Sequence, residues 1–185
     1  MIKTKLINKE IKYTGLELAP HWIYRNFNLQ GDEIVAFIGE CKVDLGEMVD
    51  VEDVINNEPI YSKSMVNFIC EIFNIGLFEG VLLQRLLITT IKEVLETEFE
   101  VKVRRAGDDL FIDDRKLSVS IATKSFTSVL IHTGINIDAE GAPIAAYGLN
   151  EINNLNPEEF AQKVMKRFSE EVEDIIMATT KVSGR

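Results

Sequence analysis

The sequence predicts an α+β fold, a mixed and mostly antiparallel sheet with helices packed on it. Several segments are rich in β-branched residues and alternate with the two-residue period of a strand. Two long segments instead carry apolar residues at helical spacing. The resulting order is strands, helix, four strands, helix, which fits an α+β plan. The 185 residues show no internal repeat and no linker rich in Pro, Gly and Ser, so one domain over residues 1–185 is expected.

"IKTKLI" and "DEIVAFIGECKVD" read as the first two strands. Between them Pro20 interrupts an ambiguous stretch, and Gly31-Asp32 suggests a turn. "MVDVEDVINNEP" reads as a loop with a single helical turn. "KSMVNFICEIF" fits strand or helix, and strand is favoured because Val, Phe and Ile dominate it and Asn67 and Glu71 interrupt the apolar run. From Leu77 to Glu98 the spacing of Leu83, Leu87, Ile88, Ile91, Val94 and Leu95 predicts a helix with one wide apolar stripe. "FEVKVRRAG", "DLFI", "RKLSVSIAT" and "FTSVLIHTGINI" follow as four strands, with Asp113-Asp114 as a hairpin turn. The last helix opens with Asn156 as cap, Pro157 at its first position and Glu159 completing a capping box. Phe160, Val164, Phe168, Val172 and Ile175 are its expected buried stripe.

Composition excludes several function classes. Apolar residues make up 46% and charged residues 27%, and the formal charge is −10. Without a basic stripe, a nonspecific nucleic-acid binder is not expected, since phosphate backbones need clustered Lys and Arg. The two cysteines, Cys41 and Cys70, and the two histidines, His21 and His132, lack metal-ligand spacing. No apolar run approaches the roughly 20 residues of a membrane span, and the N-terminus lacks the apolar core of a signal peptide. The expectation is a cytoplasmic protein with no membrane partner.

The stretch "GDDLFIDDRKLSVSIAT" carries the candidate chemistry. Alternation places Lys116 on one face with Ser118 and Ser120, and Leu117, Val119 and Ile121 on the other. Small neighbours would leave room beside the ammonium for a carboxylate or phosphate oxygen, or for an oxyanion developing at an acyl centre. The competing reading is a solvated strand lysine. Asp108 and Asp109 offer hard oxygen ligands for Mg²⁺, against a plain turn after Gly107. Asp109 is also a candidate partner for Lys116 or for a substrate amine. Asp113 and Asp114 read as solvated turn residues. His132 reads as a hydrogen-bonded core residue or a catalyst, and Asn136 as a ligand-orienting group or a bond to a neighbouring strand. Arg25 and Arg85 are candidate anion binders, with a salt bridge as the alternative. Trp22 and Tyr24 read as core or rim.

The segment "DDLFIDDRKLSVSI" resembles biotin-protein ligases and lipoate-protein ligases. Asp109 and Leu110 stand where that family has Asp-Leu. Arg115, Lys116 and Leu117 stand where it has an arginine, the catalytic lysine and an apolar residue. Gly134, Ile135, Asn136 and Ile137 match its Gly-Ile-Asn-Val strand. The resemblance covers about residues 65–138, and the whole chain is similar to an uncharacterised, mostly archaeal domain family of the same fold superfamily. It implies the ligase-like fold, Lys116 as catalytic residue, and Asp109, His132, Gly134 and Asn136 as ligand-binding residues. It also implies a small carboxylic acid or acyl donor as ligand, and it leaves ATP, Mg²⁺ and a protein acceptor as cofactors and partner to consider.

The chain departs from the family pattern at several points. Gly39-Glu40-Cys41 replaces Gly-Arg, and "NEPIYSKSMVNF" has no glycine where a Gly-rich loop is expected. Asp108 replaces Asn, Val119 replaces a glycine, and Tyr147 precedes Gly148 where the octanoyl-transferase branch has its cysteine nucleophile. If adenylation survived, Lys42 or Lys63 would have to neutralise the phosphates. Three readings follow: an acyl-activating or acyl-transferring enzyme, a binding module that keeps the pocket without the chemistry, and an interaction protein using the sheet as a homodimer surface.

Overall fold

The computed structural model describes residues 1–184. A five-stranded sheet is built from β1 (Lys3–Leu6), β2 (Glu33–Val43), β3 (Ile60–Phe73), β7 (Ser118–Lys124) and β8 (Ser128–Asp138), in the order β1-β2-β3-β8-β7. β1 runs parallel to β2 and every other pairing is antiparallel. A smaller sheet holds β4 (Arg104–Ala106), β5 (Asp109–Ile112) and β6 (Arg115–Lys116). The long helices are α3 (Leu77–Glu98) and α4 (Pro157–Thr180). The short helix α1 (Trp22–Phe27) lies in the stretch expected to be ambiguous, and α2 (Val51–Asn56) is the helical turn expected within a loop.

β2 and β3 are buried on both faces, which is why their sequences are nearly continuous apolar runs rather than alternating ones. On one face Ile34, Ala36, Val66, Phe68 and Cys70 pack against Leu87, Ile91 and Leu95 of α3 and Phe160, Val164 and Phe168 of α4. On the other, Val35, Phe37, Cys41, Met65 and Ile69 pack with Tyr13 and Ile23 from the N-terminal region. That region follows β2 through bonds from Ile7 N–H to Ala36 O (2.8 Å) and Tyr13 N–H to Glu40 O (2.8 Å). The approach is close enough that a Cβ on Gly39 would lie 1.9 Å from Ile11 O.

Three sequence expectations are corrected. "FEVKVRRAG" forms a strand only at Arg104–Ala106, because the preceding backbone bonds to α3 instead. Val101 N–H reaches Leu95 O at 3.3 Å and Val103 N–H reaches Glu96 Oε1 at 3.2 Å. "RKLSVSIAT" is not one strand but two, in different sheets. Leu117 is the crossing point, since its N–H donates to Leu110 O (2.8 Å) in the small sheet and its carbonyl accepts from Asn136 N–H (3.0 Å) in the large one. The buried stripe of α4 stops at Val172 and Ile175 is exposed. The last anchoring bond before that point is from Ser169 Oγ to the carbonyl of Ile2 (2.7 Å), the residue just before the edge strand β1.

Two local expectations hold. Asp113 and Asp114 both adopt left-handed backbone (φ 47° and 58°), the pair of positive angles that a tight two-residue hairpin requires. Asn156 caps α4 by accepting from Glu159 N–H at 2.9 Å.

A candidate ligand-binding cleft

A cleft of about 590 Å³ opens on the sheet face away from the long helices. Its floor includes Met65, Val119, His132 and Asn136. Its walls come from residues 47–61, from Asp108 and Asp109, and from residues 142–146. The extended stretch at residues 142–147 closes on β6. Lys116 N–H donates to Ala145 O and Tyr147 N–H donates to Lys116 O, each at 2.9 Å, and Asn136 Nδ2 donates to the same carbonyl at 3.3 Å. Together with its pairing to Phe111 on β5, these bonds fix the backbone of Lys116 on both sides.

The side chain of Lys116 leans on Asp109, with Nζ 2.9 Å from Oδ1 and both side chains about one-third exposed. The pair lines the cleft. Lys116 and Val119, expected on opposite faces, line the same cavity, because alternation cannot be carried across the crossing at Leu117. The hydroxyls expected beside Lys116 are already engaged. Ser118 Oγ accepts from Leu110 N–H (2.9 Å), and Ser120 Oγ bonds Thr133 Oγ1 (2.9 Å) and Gln84 Nε2 (3.1 Å).

His132 is buried and stacks beneath Tyr13, with ring centroids 3.6 Å apart. Its Nε2 lies 3.0 Å from Asn67 Oδ1. Asn67 must present its amide nitrogen to Met65 O, a carbonyl 3.4 Å away. Its oxygen therefore faces the imidazole, and Nε2 carries the ring proton. Burial depresses the imidazole to about 3, so the ring is neutral. Gly134 lies between Met65 and Val119, whose Sδ and Cγ2 would be 2.7 and 3.1 Å from a Cβ there. The glycine thus admits neighbouring side chains, and Val119 occupies space that a glycine would leave open.

The other expected residues are used structurally. Asp108 pairs with Arg85 (3.3 Å) and accepts from Gln84 (3.1 Å), so Arg85 takes its salt-bridged reading. Trp22 packs on Phe27 and Phe37, while Tyr24 is exposed. Lys63 is held by Asp138 (2.9 Å) and by Glu140. Neither Lys42 nor Lys63 lines the cleft, so neither stands where a nucleotide bound in it would need a phosphate partner. The cysteines are buried thiols, and burial pushes Cys41 up to about 12, a poor state for a nucleophile.

Sequence reasoning missed Tyr13 and Asp53 as parts of the cleft. Nothing in "IKYTG" marks Tyr13, which reaches the site only because its segment tracks β2. Asn67 did leave a signal, as a polar break in an apolar strand.

The fit to ATP can be tested on charge. Lys116 is the only Lys or Arg among the described residues lining the cleft, against Glu47, Asp50, Glu52, Asp53, Glu58, Asp108 and Asp109. A triphosphate would meet an acidic wall. The segment expected to hold a phosphate-cradling loop is largely regular strand in β3, paired with β2 and β8. Among the described residues no group of three His, Cys, Asp or Glu could hold a metal ion. The residues present do not fit the nucleotide.

A family described as "Domain of unknown function (DUF366)" matches residues 2–183. An uncharacterized protein of Methanocaldococcus jannaschii is 34% identical over 175 residues, covering 91% of this chain and 79% of that protein. A solved protein of unknown function from Pyrococcus horikoshi superposes with a TM-score of 0.94 at 36% identity, covering 100% of both chains. Biotin protein ligase from Aquifex aeolicus in complex with biotin and ATP superposes with a TM-score of 0.61 at 18% identity, over 92% of this chain and 70% of the ligase. A putative lipoate protein ligase from T. acidophilum with bound lipoic acid gives 0.58 at 12% identity, over 93% and 86%. At these identities the ligase likeness shows the fold alone.

Proposed function

Because the chain belongs to the DUF366 family and has the fold of biotin- and lipoate-protein ligases, we propose that it binds a small carboxylic acid or acyl donor in this cleft. The observation that carries the reading is the placement of Lys116, whose backbone is fixed on both sides and whose ammonium stands at the cleft beside Asp109. When an acid enters there, Lys116 would share its ammonium between Asp109 and the ligand's carboxylate. Asp109 would remain close enough to hold the ammonium in place. Activation or transfer of the acyl group is the chemistry such a lysine serves, since a fixed positive charge stabilises an acyl oxygen as it becomes anionic. His132 and Asn136 would shape the floor, and Gly134 would let the strands close behind it.

A second reading is a binding module without chemistry. The acidic wall and the strand in place of a phosphate loop favour it.

Calorimetric titration of straight-chain carboxylates, with and without an ω-amino group, tests both readings. Lys116→Ala should weaken binding about ten- to a hundredfold, the worth of a charge-assisted contact in a partly desolvated site, while leaving the fold intact. Equal binding by the variant and the parent would refute a ligand role for Lys116. Acyl transfer from a thioester to an amine acceptor would separate the enzyme from the module.

A further inference from the structure

Lys116 carries the one positive charge among the described residues lining the cleft, against seven carboxylates. Asp53, on α2, makes no side-chain hydrogen bond or ion pair among the described residues, and neither does Glu58. Asp50 is spent capping α2, accepting from Glu52 N–H at 2.9 Å, and Asp109 is spent on Lys116. A cluster of wall carboxylates could simply be solvated, but two buried groups on the floor point the same way. Tyr13 is 3% exposed and lines the cleft, and its hydroxyl has no hydrogen-bond partner among the described residues. His132, also 3% exposed, uses Nε2–H on Asn67, which leaves Nδ1 as a bare acceptor with no partner among the described residues. Neither atom is sealed off from solvent, so both open on one cavity, where each can accept a hydrogen bond from a ligand's N–H.

We infer that the ligand is a zwitterion: its carboxylate meets Lys116, and a positively charged nitrogen at its other end meets the wall of Asp53 and Glu58. This deepens the proposed carboxylate site and rests on it. Asp53 titrates above its ordinary range, because of burial and then the neighbouring Asp50 and Glu58, with Lys116 only partly offsetting them. Its surroundings therefore hold an excess of negative charge that a cation would relieve. The apolar lining from Leu18, Val43, Met65 and Val119 suits a methylene chain between the two ends. The same charge pattern explains why a triphosphate fits badly.

Matched probes of graded length test the inference by calorimetry: ω-amino acids from 4-aminobutyrate to 8-aminooctanoate, the plain acids, and the plain amines. At one chain length the amino acid should bind at least tenfold tighter than the plain acid. Asp53→Asn should remove most of that advantage, bringing the amino acid and the plain acid to within about threefold of each other, while Tyr13→Phe should weaken the amino acid about threefold or more. Binding of the plain acid within twofold of the amino acid would overturn the zwitterion and leave the carboxylate site standing. So would an advantage that survives Asp53→Asn. Amino-acid binding insensitive to Lys116→Ala would instead remove the carboxylate site and this inference with it.

Discussion

Tyr13 lies flat over His132, ring planes 10° apart and centroids 3.6 Å apart. The two residues are separated in the sheet by two strands, β2 and β3. Tyr13 bridges Cys41 on the outer side of β2, and His132 sits on β8 beyond β3. The stack therefore reaches across β2 and β3, and the same imidazole bonds Asn67 on β3. Burial under Tyr13 keeps the imidazole neutral, whereas an unfolded histidine protonates near about 6.5.

The first prediction follows from that shift. The folded value is depressed to about 3, so the unfolded state takes up the proton first as pH falls. The contribution of His132 to stability is then present above about pH 6.5 and is lost progressively between there and about pH 3. Nitrogen-resolved NMR should show the Nε2–H tautomer with no titration from about pH 8 down to about pH 4. His132→Gln should flatten the acid limb of the stability profile. An imidazole that titrates near its ordinary value would mean that the stack opens in solution.

Glu33 has the opposite sign. It is fully buried, faces Glu71 across the β2–β3 pairing, and neither of its oxygens has a hydrogen-bond partner among the described residues. Glu71 is satisfied by His21 N–H (2.9 Å) and Ser128 Oγ (2.6 Å). Burial, then the Glu71 charge, raises Glu33 to about 7. Stability is fully present below the unfolded carboxylate value of about 4.3 and declines as pH rises towards 7. Glu33→Gln should therefore melt higher than the parent at about pH 8, by an amount on the order of 1–2 kcal/mol after allowance for solvent screening. The difference should shrink at about pH 4, where both forms are neutral. Equal melting of the two proteins at high pH would show that Glu33 is solvated or paired.

Gly39 should tolerate no side chain. A Cβ would stand 1.9 Å from Ile11 O and 2.7 Å from its carbonyl carbon, and these are backbone atoms with little freedom to move. Gly39→Ala should cost at least about 2 kcal/mol through overpacking, seen as a lower denaturant midpoint with an unchanged slope. It should also weaken ligand binding, because the displaced segment leads directly to Tyr13. A variant as stable as the parent would mean that the N-terminal run detaches easily from β2.

The sequence by itself determined the elements that local physics fixes. Alternation, β-branching and the Asp113-Asp114 turn marked the strands and the hairpin around Lys116. Helical spacing and the Asn156 cap marked α3 and α4. The pairing of Asp109 with Lys116 was within reach, because two adjacent strands joined by a two-residue turn bring those positions together. Only the tertiary structure decided the crossing at Leu117, where one strand-like run divides between two sheets according to which partner carbonyls and N–H groups are available. It also decided that Val101–Val103 bond to the end of α3, that Lys63 is held by Asp138 and Glu140, and that Tyr13 and Asp53 reach the cleft. Each of these depends on partners distant in sequence, and a local pattern carries no information about which distant group will satisfy a backbone bond or a charge.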